Sequence, residues 1–189
     1  MNHLKLAVAL LGLMVAIIAF VRNQPHRNLI NDALGDKLRI PERMWGYSAE
    51  DVQGVIDQLR SAPAIEGRSP LDVYVRPVLY WNDIVFAVAL AVFSASLWLW
   101  ILGQVGPVGT LRYALIAVTI SAVVYGVADV AEDVMLARLF AQPKVSAGGT
   151  WVACQLTRIK IATNAGSITA GAVFLTLKYL TEHKAGAGD

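Results

Sequence analysis

Residues 84–102 read IVFAVALAVFSASLWLWIL, a stretch without a single Asp, Glu, Lys or Arg. An α-helix of that length rises about 28 Å, close to the thickness of a bilayer's hydrocarbon core. Tyr80 and Trp81 precede the run, and Trp98 and Trp100 lie at its far end. Aromatic side chains at both ends are expected where a helix meets two lipid–water interfaces. The stretch therefore predicts a membrane-spanning helix, and it sets the terms on which the flanking residues are read.

The whole chain has the matching composition. Of its 189 residues, 56% are hydrophobic and 16% charged, with a mean hydropathy of +0.53. A soluble domain carries about 25% charge. Three further apolar stretches complete an all-α reading: a four-helix transmembrane bundle with spans at about 4–21, 84–102, 111–131 (the helical pattern continuing to 140) and 151–180. The first, Leu6–Val21, follows a short basic start. No small-x-small cleavage site comes after Phe20 and Arg22 follows at once, so an anchor is expected rather than a cleaved signal peptide. Gly103–Gly109, with Pro107, and Pro143–Gly149 read as breaks between helices, and Ala185–Asp189 as a tail.

Segment 22–82, between spans one and two, reads as a small helical extramembrane cap. Ser48 before Ala49-Glu50-Asp51 has the form of a capping box with acidic residues in the first turn. Val52, Val55, Ile56 and Leu59 then recur at helical spacing, giving an amphipathic helix that ends near Arg60.

Charges at the ends of the spans carry the functional question. Asp129, Glu132 and Asp133 close span three, Arg158 and Lys160 open span four, and Asp83 stands at the mouth of span two. An ionisable group at such depth is costly unless paired or hydrated, so it marks an ion-pair staple or a working site. Helices three and four form an antiparallel hairpin centred near residue 145. That places Glu132 level with Arg158, Asp129 with Lys160 and Tyr125 with Asn164. Because spans alternate in direction, Asp83 belongs to the same end, and the cap roofs it. The expected result is a charged pocket of Asp83, Tyr125, Asp129, Glu132, Asp133, Arg158, Lys160 and Asn164. Small residues on helix four, Gly166, Ser167, Ala170 and Gly171, are expected to let helices pack closely.

Short motifs in this half of the chain carry a resemblance. Gly46-Tyr47-Ser48-Ala49-Glu50-Asp51-Val52 is followed by Glu66-Gly67-Arg68, by Asp83, by Asp129-x-x-Glu132-Asp133 and by Thr157-x-x-Lys160. From Gly46 onward the chain resembles a group of poorly characterised four-span membrane proteins, chiefly bacterial. These have D-x-x-E-N in span three and T-x-x-K opening span four. Asp133 stands where that pattern has asparagine. The resemblance implies the four-span architecture and the importance of Asp129, Glu132 and Lys160; it brings no reaction with it.

Several classes of chemistry find no support. Cys154 is the only cysteine, which excludes an internal disulfide and any CxxC site. His3, His26 and His183 lie near segment ends or in tails, not inside helices as a haem or di-iron bundle requires. No metal site or cofactor is indicated. A net charge of +2 with no basic aromatic stripe gives no nucleic-acid partner. The expectation is a multi-pass protein of the plasma or inner membrane, non-enzymatic, acting as an accessory subunit or as a binder of a small polar ligand or lipid headgroup. Its expected partners are the bilayer itself and a membrane protein or second copy of the chain. The alternative is a membrane-embedded enzyme or proton-coupled carrier using Asp129 and Glu132 as acid and base. Of the sixteen Lys and Arg residues, all but Lys5, Arg112, Lys178 and Lys184 fall on the side of the cap, which points that side to the cytoplasm.

Overall fold

The structure is a computed structural model that describes residues 2–35, 39–64, 67–104 and 109–186, without the side chains of 175 and 177–186. The centre of the turn at Pro107, Glu66 of the motif series and the tail from residue 187 lie outside the described residues, as do the side chains of Lys178 and Lys184. The described residues form five helices: α1 (Asn2–Leu34), α2 (Ala49–Ser61), α3 (Pro70–Leu102), α4 (Thr110–Phe140) and α5 (Ala147–Gly186). A short 3₁₀ turn, Pro41–Arg43, lies between α1 and α2, and there is no strand among the described residues. Three helices, α1, α3 and α4, are long and apolar enough to cross a membrane. The fourth long helix, α5, is 40 residues long.

The long helices continue well past their apolar runs. A helix of 31 residues such as α4 is about 46 Å long, against about 30 Å of hydrocarbon. The segment read as a cap over 22–82 therefore begins and ends inside helices. α1 runs on through Pro25 to Leu34, where Gly35 ends it with φ +65°, a left-handed conformation glycine adopts without a Cβ clash. α3 starts at Pro70 behind Ser69, whose side chain accepts from the Asp72 amide at 3.1 Å. Its stretch Tyr74–Asp83 is wound as wider π-helical turns around Pro77. Proline has no amide to donate and its ring crowds the carbonyl four residues back, so a shift of hydrogen-bond register accommodates it. Asp83 consequently lies within a continuous helix rather than at its mouth.

α2 forms as its periodicity dictates. The Asp51 amide donates to Ser48 Oγ at 3.2 Å and the Ser48 amide to Asp51 Oδ2 at 2.7 Å, completing the capping box. Val52, Val55, Ile56 and Leu59 are all buried, packed with Ile30 and Leu34 of α1, Tyr74 and Val78 of α3, and Leu136 and Phe140 of α4. Tyr74 meets Phe140 edge-on, with ring centroids 5.0 Å apart. Two polar links tie α2 to the α4–α5 turn: the Val145 amide to Gln53 Oε1 at 3.1 Å and Arg60 Nη2 to the Gln142 carbonyl at 3.2 Å. The extended ends of three long helices thus share one hydrophobic core with the connecting segment.

Along the long helices, packing runs in the order α1–α3–α4–α5, each helix against the next, while among the described residues α1 and α5 make no comparable packed pair. Glycines set the closest approaches. A Cβ on Gly12 would stand 2.9 Å from the Phe93 backbone nitrogen, and one on Gly126 would stand 2.5 Å from Ala91 Cβ. The stripe expected on helix four contributes less: Gly166 has nothing within 4 Å, whereas Gly171 sits against the Trp98 ring. Trp98 itself is only 6% exposed and donates to Ser167 Oγ at 3.1 Å, so it belongs to the α3–α5 contact and not to an interfacial belt. Trp81, by contrast, is 70% exposed.

Candidate functional site

The charged residues gather at one end of the four long helices, on two sides of a shared cavity of about 360 Å³. On the α5 side, Lys160 Nζ lies 3.0 Å from Asp129 Oδ1 and also pairs with Glu132 Oε2. Tyr125 donates to Asp129 Oδ2 at 2.7 Å, one helical turn away on the same helix. Glu132 is fully buried and accepts from the Thr157 hydroxyl, which in turn receives the Tyr47 hydroxyl at 3.0 Å. Burial pushes the Tyr47 phenol well above its ordinary range, so it stays a neutral donor there.

On the α1 side, Arg27 is the central cation. Its Nη2 lies 3.0 Å from both oxygens of Asp83 and 3.2 Å from Glu42 Oε1. Asn23, one turn before Arg27, donates to Asp83 Oδ1 at 2.7 Å, and Asn82 donates to Asn23. Tyr74 donates to the other oxygen of Glu42 at 3.2 Å. Both Asn23 and Arg27 can reach Asp83 only because α1 remains helical after its apolar run, which keeps positions four apart on one face.

Of the residues expected in the pocket, Asp83, Tyr125, Asp129, Asp133, Lys160 and Asn164 line the cavity. Glu132 stands behind it, held by Lys160 and Thr157. Arg158, expected opposite Glu132, is elsewhere: its Nε donates to the Trp45 carbonyl at 3.0 Å and fastens the connecting segment to α5. Arg27, Glu42 and Arg43 line the cavity without having been expected there. The excess of acids over the cations of α5 called for a further cation, but no pattern in the sequence singled out Arg27.

Acidic side chains outnumber cationic ones in this cluster. Glu42, Asp83, Asp129, Glu132 and Asp133 are buried, against Arg27 and Lys160, with Arg43 exposed at the mouth. Phe86, Ile161, Ala165 and Ile168 complete the wall, so the cavity passes from carboxylates directly to apolar side chains, of which Ile168 is 66% exposed. Among the described residues the lining holds no histidine, cysteine or serine. The usual nucleophile–base pairs are thus missing from it. Comparison of the chain with protein-family models, curated proteins and solved structures finds no match.

Proposed function

We propose that this is a four-span, non-enzymatic protein of the plasma or inner membrane that binds a polar headgroup in the cleft between α1 and α5. In this reading α5 is the fourth span, residues 39–69 with the extended helix ends form the cap, and the capped end faces the cytoplasm. The same reading places the chain in the four-span group that its Asp129-x-x-Glu132-Asp133 and Thr157-x-x-Lys160 motifs resemble.

One observation carries the reading: a buried polar cavity continues without a break into side chains that would face lipid. α1 and α5 leave the gap, Phe86 and Ile168 flank it, and the carboxylates with Asn164 lie within. That sequence of surfaces complements an amphiphile, whose headgroup enters while its chains stay among apolar neighbours. A small soluble polar ligand has the same headgroup chemistry but no use for the lateral opening.

The test is to purify the chain in mild detergent, record it by native mass spectrometry, and extract it into organic and aqueous phases. A stoichiometric phospholipid in the organic phase, reduced in Asn164→Leu protein of unchanged melting temperature, supports the reading. A small molecule confined to the aqueous phase would assign the cavity to a soluble ligand. Wild-type protein that retains neither, and gains none from added lipid, excludes a headgroup site.

A further inference from the structure

Glu42, Asp83 and Asp133 reach one another from three separate parts of the chain: the Pro41–Arg43 turn, α3 and α4. One carboxylate oxygen of each lies within 4.8 Å of the other two. All three residues are buried, Asp133 to 2% exposure. Their surroundings differ in kind. Glu42 and Asp83 have Arg27 between them and further donors in Tyr74 and Asn23, whereas Asp133 Oδ2 is sealed from solvent and has no hydrogen-bond partner. A buried ionised carboxylate is strongly disfavoured unless a counter-charge meets it. The other half-buried cation of the cluster, Lys160, is already engaged by Asp129 and Glu132.

We infer that Glu42, Asp83 and Asp133 hold a divalent cation of the hard, oxygen-preferring class at the inner wall of the cleft. The donor set is oxygen alone, which suits calcium, magnesium or manganese and not the metals that favour imidazole or thiolate. Spacing agrees. Two oxygens on opposite sides of a cation are separated by about 4.2 Å for magnesium and about 4.8 Å for calcium. The three oxygens already fall within the larger limit, and small side-chain movements reach the smaller one. Charge agrees as well, since Arg27 and a dication together neutralise the three carboxylates. The adjoining cavity has room for the water molecules that complete a coordination shell. The inference rests on the cavity being a binding site, but not on which headgroup or ligand enters it.

Manganese is the probe. The full chain in detergent is stripped with chelator, and bound manganese is counted by electron paramagnetic resonance as the loss of the free-ion signal. One ion per chain is expected, displaced by calcium or magnesium and raising the melting temperature. Asp133→Asn should weaken binding at least tenfold while leaving helical content unchanged. Should Asp133→Asn protein fail to fold, Glu42→Gln, outside the long helices, must show the same loss. Wild-type protein that binds no manganese overturns the inference. So does a folded Asp133→Asn protein that binds it as wild type does. Lipid retention measured with chelator present separates the two readings: a retained headgroup without a metal site sinks this inference alone.

Discussion

Lys160→Met is the most informative single change, because one ammonium serves two buried carboxylates. Glu132 is fully buried and Asp129 is 7% exposed. Methionine keeps the unbranched apolar stem, one atom shorter, and leaves both acids without their cation. Breaking a buried pair from one side costs about 3–5 kcal/mol. For a chain of this size each kcal/mol lowers the melting temperature by about 2–4 °C, so a fall of roughly 6–20 °C is expected. Cys154 provides the assay: it is the only cysteine, is 5% exposed and lies on the same helix. A fluorogenic maleimide should react with it only as the bundle opens. The matching control removes all three charges, Asp129→Asn with Glu132→Gln and Lys160→Met, and should recover to within about 1 kcal/mol of wild type because no orphaned charge remains. Replacing Asp129 and Lys160 alone is the weaker experiment, since Glu132 would stay unpaired. Lys160→Met protein melting within 2 °C of wild type, or a triple variant as unstable as the single one, would refute Lys160 as the staple of this hairpin.

Three further outcomes are expected. Gly12→Val should lower stability by about 1–3 kcal/mol in the same melt, because its Cβ meets the α3 backbone, whereas Gly166→Ala, facing open space, should leave the melting temperature unchanged. Ser48→Ala removes one half of the capping box and should cost about 1 kcal/mol, with faster protease cleavage around α2 as the local readout. Arg60→Cys in a Cys154→Ser background should be labelled by an impermeant maleimide only after the cells are opened; labelling of intact cells would reverse the assignment of the capped end.

The parts of this architecture that were legible from sequence are those fixed by local period. The α2 stripe of Val52, Val55, Ile56 and Leu59 is a single-helix property, and each of the four positions is buried. Levelling residues across the α4–α5 hairpin likewise brought Asp129 and Lys160 together. The same levelling gave Glu132 to Arg158, because height along a helix says nothing about direction around it. Arg158 and Lys160 are two residues apart and so point about 200° away from each other; only one of them can face α4. Arg27 and Glu42 were illegible for another reason. The loss of hydrophobicity after Val21 looks like a helix end, yet α1 continues, since its last turns are covered by α2 and not by lipid. Tertiary burial, which no local pattern encodes, supplied the partner for Asp83.

Direction around α4 also separates two roles that a list of charges merges. Asp129, Glu132 and Asp133 lie within about 100° of one another on the helix, with Glu132 at the edge nearer α5 and Asp133 at the edge nearer α1 and α3. Glu132 accordingly meets Lys160 and Thr157, and Asp129 meets Lys160 and Tyr125. Each has a partner from the protein itself, which is the pattern of a staple. Asp133 turns toward Glu42 and Asp83, where one guanidinium already answers two acids, and it has no donor of its own. Asp133 puts a further acid where, among the described residues, the exposed Arg43 is the only cation lining the cavity besides Arg27 and Lys160. An acid kept only for the hairpin gains nothing from standing there unpaired, whereas a cation site gains a ligand. Asp133 is therefore where structural pairing ends and, on the reading proposed here, binding begins.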